Sequence, residues 1–328
     1  MMAILIVISG TYLSRYGEII ADITGLGQIL IGGILIALAT SLPELVTSIT
    51  SSLVGAPNIA IGNSFGSNTF NLMILAVIDL FHGPGPLMLR VHYSHLLSGL
   101  MGILLSGIVV FSIIVSHFTS IRLGILGVGF DSIVLIFAYL VGLRLIYRYE
   151  RKNPLDEDRE EKKEKKNRVS LRKAVIIFFL SGAVIVFAGS RLSILGDQLA
   201  SATGINQTFI GTILVAAATS LPELVASLSA MRIHAYNMAI GNVLGSNIFN
   251  MIIVFFADVF YRPGYILATV DTVHVITATI GLMMSAIALI GLFYRSRRTI
   301  FSIGWDSLFI SIIYFIGVYL LFRLGIQF

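Results

Sequence analysis

The segment A-T-S-L-P-E-L occupies residues 39–45 and returns, letter for letter, at 218–224. Each copy sets a proline and a glutamate, Pro43-Glu44 and Pro222-Glu223, inside a long apolar run. Proline in a helix interior removes one backbone hydrogen bond and displaces the carbonyl four residues earlier. Pro43 is therefore expected to free the carbonyl of Ala39 and loosen those of Ala37 and Leu38, and Pro222 to do the same for Ala218 and Ala216. In a bilayer a freed carbonyl needs a partner, and a desolvated cation is a suitable one. A carboxylate at membrane depth is costly unless it faces the protein interior, where it marks an ion path. Thr40 lies one helical turn before Glu44 and shares its face, and Ser41 adds a third oxygen; Thr219 and Ser220 stand in the same relation to Glu223.

The rest of the chain supplies the membrane. Of its 328 residues 56% are hydrophobic and only 12% charged, with a mean hydropathy of +0.93, far above that of a soluble domain. Cysteine is absent, which excludes disulfides and thiolate metal sites. A helix needs roughly 20 apolar residues to cross the hydrocarbon core. Polar and Gly/Pro-rich seams then cut the chain into spans at 2–22, 28–53, 58–81, 90–116, 121–148, 171–200, 207–232, 236–260, 266–293 and 299–323. The first stretch, MMAILIVISGTYLS, lacks a basic n-region and reads as a retained span, not a signal peptide.

Charge gives the orientation. The run ERKNPLDEDREEKKEKKNR at 150–168 has almost no apolar residue and reads as a solvated linker. Loops rich in Lys and Arg stay in the cytoplasm, so this linker is expected inside and both termini outside. Arg232, Arg295, Arg297 and Arg298 then also fall inside, while Arg122 and Arg262 are exceptions. The net charge of +5 thus reports topology and gives no reason to expect nucleic acid.

Repetition is the most informative feature. An offset of 179 lays residues 31–79 on 210–258 without a gap, at roughly half identity. Gly10, Gly17 and Gly25 fall on Gly189, Gly196 and Gly204, so the match reaches back into the first span. The unit is a five-helix block, and an odd number of crossings inverts the second copy. The expected organisation is an all-α integral membrane protein of ten helices: a first five-helix repeat at 1–149, a charged linker at 150–170, and an inverted repeat at 171–328. Inverted repeats place ion sites near the midplane where the copies meet.

A second repeated cluster supplies the facing wall, AIGNSFGSNTFN at 60–71 and AIGNVLGSNIFN at 239–250. Gly62 and Gly66, like Gly241 and Gly245, are four apart and allow helices to approach closely; packing alone could account for them. Asn63, Ser67, Asn68 and Asn71, with Asn242, Ser246, Asn247 and Asn250, offer amide and hydroxyl oxygens. A wholly hard-oxygen donor set suits calcium, sodium or magnesium and argues against zinc or copper. Asp79 and Asp258 are also repeat-equivalent, but near helix ends a solvated carboxylate is ordinary, and they are left outside the site. Gly62 to Gly66 matches the G-x-S-x-G nucleophile elbow, yet Val243 stands at the equivalent of Ser64, and an elbow needs a strand-to-helix turn.

These paired motifs, G-x-x-x-x-A-x-A-T-S-L-P-E and G-N-x-x-G-S-N, resemble the two α-repeats of the sodium/calcium exchanger family, in the calcium/cation antiporter superfamily. The resemblance implies alternating-access exchange of calcium for sodium, with sites between the second, third, seventh and eighth spans and the first and sixth spans moving. By analogy Glu44 and Glu223 are shared carboxylate ligands, completed by Thr40, Ser41, Ser67, Asn71, Thr219, Ser220 and Ser246 and by the carbonyls of Ala37 and Ala216. Members of the family often carry Asp where this chain has Asn250, so here two carboxylates face the ions, enough for one calcium but not for three sodium ions. Protons could replace sodium if the two glutamates titrate.

The expected function is thus a secondary antiporter in the cell membrane, not an enzyme. It needs no cofactor; its partners are the bilayer and its transported cations, and the sequence leaves the oligomeric state open, a monomer being compatible with the reading. A proton-driven calcium or magnesium antiporter and a passive cation channel are the alternatives. No G-x-x-x-x-G-K-[ST] motif points to ATP, and a channel filter usually repeats around an axis in parallel, which inverted copies do not.

Overall fold

The computed structural model describes residues 1–24, 37–83, 85–119, 123–125, 127–152, 169–232, 234–296, 299–300 and 303–327. It is nearly all helix, and helices stand in each of the ten expected intervals. They are taken in order as spans: Met2–Thr24; Ala37–Thr40 continued by Leu42–Leu53; Pro57–His82; His95–Phe118; Phe130–Lys152; Leu171–Thr203; Gln207–Arg232; Tyr236–Phe260; Val273–Tyr294; and Trp305–Gln327. Most of the charged linker, the start of the second span with Gly25, and Arg122, Arg297 and Arg298 lie outside the described residues.

Four spans begin later than hydropathy suggests. The ninth starts at Val273, not 266, because Ile266–Ala268 form a single 3-10 turn; the fourth starts at His95, not 90, after the equivalent turn at Leu87–Leu89 and a short non-helical stretch. The fifth and tenth start at Phe130 and Trp305, not 121 and 299. Short antiparallel ribbons precede them, Gly124–Ile125 on Val128–Gly129 and Thr299–Ile300 on Ile303–Gly304. Hydropathy registers apolar content and cannot tell such a ribbon from a helical turn.

Local chemistry sets the other boundaries. Ser170 caps the sixth span by accepting from the Lys173 N–H, and Gly204 ends it in the left-handed region, φ +70°. Asn206 then accepts from Thr208 N at 2.6 Å and opens the seventh. Between spans two and three, Gly55 (φ +76°) makes the turn, and Ala56 N donates to the Ser51 carbonyl at 2.8 Å. His234 takes the equivalent position in the second repeat, with φ +61°, and Ala235 N donates to the Ala230 carbonyl at 2.9 Å.

Spans three and eight are the most enclosed and form the centre. One hydrophobic cluster packs Phe65, Leu105, Val109, Leu135, Met251 and Val254 from spans three, four, five and eight. Another packs Leu72, Ile78, Ile240, Val243, Met284 and Ile310 from spans three, eight, nine and ten. Among the described residues, none of spans one, two or six belongs to the buried part of either cluster. Spans one and six pack most extensively on each other, with a small cluster at Leu13, Ala39 and Ile185.

Asp79 and Asp258 are not solvated: each is only 1% exposed. Asp79 accepts from Leu87 N at 2.7 Å and, across the repeats, from Gly304 N at 2.8 Å. Asp258 accepts from Ile266 N at 2.7 Å and from Gly129 N at 2.8 Å. Each carboxylate ties a ribbon of the opposite repeat to the central helices, meeting backbone donors that a buried irregular segment would otherwise leave unpaired.

Candidate cation-binding site

The second and seventh spans are each broken at one residue, Ser41 and Ser220, with nearly the same backbone angles: φ −85°, ψ 9° and φ −86°, ψ 7°. A new helix begins immediately afterwards, so Pro43 and Pro222 stand in a first turn, where a missing N–H is no loss. Glu44 and Glu223 also occupy that first turn, where the positive end of the helix favours a carboxylate. Proline thus acts by starting a half-helix, a different effect from the interior kink expected from sequence. The Ala37 and Ala216 carbonyls remain engaged: each accepts from a serine N–H at 2.9 Å and from a threonine hydroxyl, Thr40 Oγ1 at 3.2 Å and Thr219 Oγ1 at 3.1 Å.

Thr40, Ser41, Glu44, Ser67, Asn71, Thr219, Ser220, Glu223, Ser246 and Asn250 are all 0% exposed and Ala37 only 2%, so the cluster is closed to both sides. The pairing crosses between repeats. Ser41 Oγ donates to Glu223 Oε1 at 2.8 Å, and Ser220 Oγ donates to Glu44 Oε1 at 2.7 Å. Ser67 Oγ reaches Glu44 Oε1 at 3.4 Å. Asn71 Nδ2 donates to Asn247 Oδ1 and Asn250 Nδ2 to Asn68 Oδ1, both at 3.0 Å.

One oxygen of each key group remains without a hydrogen-bond partner despite full burial: Glu44 Oε2, Glu223 Oε2, Asn71 Oδ1, Asn250 Oδ1 and Ser246 Oγ. Unpaired buried oxygens are costly, and five of them on equivalent or adjacent positions of an inverted repeat make a hard, anionic donor set. Such a set fits a cation of the calcium or sodium type. The two serines hold each carboxylate by one oxygen and leave the other free.

Asn63 and Asn242 belong elsewhere. Asn63 Nδ2 donates to the Glu44 carbonyl at 3.1 Å and Ser48 Oγ at 3.0 Å, while its Oδ1 accepts from Thr219 Oγ1 at 3.1 Å. Asn242 does the same with the Glu223 carbonyl, Ser227 Oγ and Thr40 Oγ1, at 3.3, 3.1 and 3.3 Å. They lash each half-helix to the centre and to the opposite repeat. Gly62 and Gly66 serve close approach: a Cβ on Gly66 would lie 2.1 Å from the Thr212 carbonyl and one on Gly62 3.0 Å from Thr212 N. Ser64 lies within a continuous helix, its hydroxyl on the Ala60 carbonyl at 3.3 Å, so no nucleophile elbow exists.

Comparison with known proteins agrees with this geometry. The family model described as "Sodium/calcium exchanger protein" matches residues 1–148 and 173–325. Among curated proteins, the chain is 32% identical over 233 residues to the uncharacterized membrane protein MJ0091 of Methanocaldococcus jannaschii, covering 70% of each. It is 29% identical over 279 residues to the sodium/calcium exchanger MaX1 of Methanosarcina acetivorans, covering 74% of this chain and 76% of that one. Among solved structures, the sodium-calcium exchanger NCX_Mj soaked with sodium and strontium superposes with a TM-score of 0.63 at 25% identity, over 97% of this chain and 95% of that one. With both halves matched and the fold shared, the chain belongs to the sodium/calcium exchanger family, as a multi-pass membrane cation antiporter and not an enzyme.

Proposed function

We propose that the protein exchanges calcium for sodium by alternating access, with Glu44 and Glu223 as carboxylate ligands shared by the two ions. Thr40, Ser41, Ser67, Asn71, Thr219, Ser220, Ser246 and Asn250 complete the sites, and the Ala37 and Ala216 carbonyls join when their hydrogen bonds open. The observation that carries this reading is the fully buried, crossed cluster in which both glutamates and both asparagines keep an unpaired oxygen.

The repeats at 1–149 and 171–328 act as inverted halves, related by a pseudo-two-fold rotation and joined by the linker at 150–170, which lies in the cytoplasm with both termini outside. Access alternates by sliding of spans one and six over the other eight. Their packing, most extensive on each other and outside the buried parts of the two large cores, supports this. The close contacts they make pass through small residues, Gly10 against Pro222 and Gly189 against Thr47.

Calcium uptake into proteoliposomes loaded with sodium tests the proposal, beside a proton gradient alone and potassium as control. Uptake driven by sodium supports it. Uptake driven only by protons assigns the counter-ion role to protonation of the two glutamates, a reading favoured by the presence of just two carboxylates. Calcium flux without any counter-ion gradient makes the protein a passive channel.

A further inference from the structure

We propose that Asn68 and Asn247 are positioning residues for the cation site: each presents its amide oxygen to the NH2 group of a ligand asparagine in the other repeat and thereby turns that ligand's own oxygen toward the ion. This deepens the antiport reading above and rests on its assignment of Asn71 and Asn250 as ligands.

A primary amide has two ends of nearly the same size and opposite use, an oxygen that can bind a cation and an NH2 group that repels it. The terminal torsion of asparagine is broad and two-fold, so the side chain itself does not choose between them. Its neighbours must. In the buried cluster the choice falls to the two asparagines behind the ligands. Asn250 Nδ2 donates to Asn68 Oδ1 and Asn71 Nδ2 to Asn247 Oδ1, both at 3.0 Å, and these bonds leave Asn250 Oδ1 and Asn71 Oδ1 buried and unpaired. Reversing either ligand would set its oxygen against its partner's oxygen, two acceptors with no hydrogen between them. The carboxylates compete for the same NH2 groups, since Glu44 Oε2 and Glu223 Oε2 are unpaired acceptors of the cluster. Without Asn68 and Asn247 nothing holds the amides against that pull.

The polarity of the Asn247 arm starts at the backbone. Asn247 Nδ2 donates to the main-chain carbonyl of Asn68 at 3.4 Å, and a carbonyl can only accept. Asn247 therefore keeps its oxygen on Asn71. The Asn68 arm ends differently. Its Nδ2 makes no hydrogen bond among the described residues, and Asn68 lines a crevice between spans three, four, eight and nine, beside Ser98, Ser106 and Ser285. The crevice volume of about 20 Å³ is enough for one water, which can accept that bond. Asn68 and Asn247 are each 6% exposed, against 0% for Asn71 and Asn250, so the positioning pair stands between the ion cluster and the crevice.

The test is a pair of double-mutant cycles read by calcium titration calorimetry of the full chain in detergent, with melting curves to establish that each variant is folded. Asn68→Leu and Asn247→Leu remove the acceptor without touching a proposed ligand. The expected result is a loss of calcium affinity of about tenfold or more in each, as for one charge-assisted contact. Aspartate at the ligand position has an oxygen at both ends and needs no orientation. In the Asn250→Asp background the loss from Asn68→Leu should therefore shrink to about threefold or less, and that from Asn247→Leu should shrink likewise in Asn71→Asp. Equal losses with and without the aspartate would mean that Asn68 and Asn247 serve packing alone, and this overturns the inference. Leucine variants that bind calcium as the parent does overturn it too. Asn68→Ala and Asn247→Ala take over where a leucine variant does not fold, because a water entering in place of the amide can accept or donate and fixes no polarity. Asn250→Ala and Asn71→Ala separate the inference from the reading beneath it. Unchanged affinity in both removes these residues as ligands, and the proposed site with them. A loss there with none in the leucine variants leaves the site standing and removes only the positioning role.

Discussion

At the scale of single residues, the site is held by an exchange of partners. Glu44 takes its hydroxyl from Ser220 and Glu223 takes its own from Ser41, so each carboxylate is oriented by the repeat it does not belong to. Because the two environments are near copies, Glu44→Gln and Glu223→Gln should produce matching defects. Removing one of two charges from a buried ionic cluster costs about 3 kcal/mol or more, on the order of a 100-fold loss of calcium affinity. Calcium titration by calorimetry in detergent checks this, and a strong defect in one variant with a mild one in the other would mean that the ion sits off the pseudo-symmetric axis. Asp79 and Asp258 call for the opposite behaviour. Each accepts two backbone N–H bonds, worth about 1.5–3 kcal/mol apiece when charge-assisted. Asp79→Asn keeps one acceptor and turns a second donor on Gly304 N or Leu87 N, so it should lower thermal stability by about 2–3 kcal/mol with little change in calcium affinity. A melting curve that overlays the parent's would remove the clamp role. Legibility differed accordingly. Thr-Ser-Leu-Pro-Glu could be read because a charge in an apolar run has few innocent explanations. Asp79 and Asp258 were passed over because proximity to a helix end suggests solvent, and only the fold shows that a ribbon of the other repeat covers them.

At the scale of elements, the breaks at Ser41 and Ser220 turn two spans into pairs of half-helices, presenting a first turn to the site in each. The prolines announced an interruption, but their placement one position into a new helix rests on backbone angles that composition does not encode. The seventh span also carries a π-helical stretch at Ile210–Val215, directly against the Gly62 and Gly66 face of the third. Such insertions commonly mark functional positions. The glycines left packing and site formation both open in sequence; the distances assign Gly66 to packing that positions the site. Gly66→Ala would press a methyl against the Thr212 carbonyl and Ala216, and overpacking of this kind costs about 1–3 kcal/mol. The neighbouring Thr219-Ser220-Glu223 group should shift with it, so calcium transport should fall sharply even in variant protein that inserts and folds. Gly102→Ala is the contrast, since a Cβ there meets nothing nearer than Ile248 at 3.9 Å, and transport should stay within twofold of the parent. Equal effects of the two substitutions would show that close approach at Gly66 is not what the site requires.

At the scale of the molecule, the inverted repeat was legible because about half the letters of residues 31–79 recur at 210–258, while the crossed pairing was not. Similar copies bind similarly whether each glutamate meets its own serine or the other's, and no offset in the sequence distinguishes the two. The crossing matters for motion. Span six touches the half-helix of the first repeat, with Thr47 Oγ1 donating to the Gly189 carbonyl at 3.3 Å and Ser51 Oγ lying 2.7 Å from Ser193 Oγ. The proposed sliding of spans one and six would break these contacts in every cycle. The chain has no cysteine, so a pair can be introduced without interference. Ser51→Cys with Ser193→Cys places two thiols where a disulfide can close, since hydroxyls 2.7 Å apart put their Cβ atoms near the range such a bond spans. Oxidation should stop sodium-driven calcium uptake and a reductant should restore it, with calcium binding preserved in the oxidised protein. Ile280→Cys with Gly317→Cys is the control within the central bundle, on spans nine and ten, where a Cβ on Gly317 would lie 3.1 Å from Ile280 Cγ2 and the two Cβ atoms fall near the range a disulfide spans. Its disulfide should leave turnover unchanged. Arrest by both disulfides would mean that the bundle itself must flex, and arrest by neither would mean that spans one and six are not the moving pair.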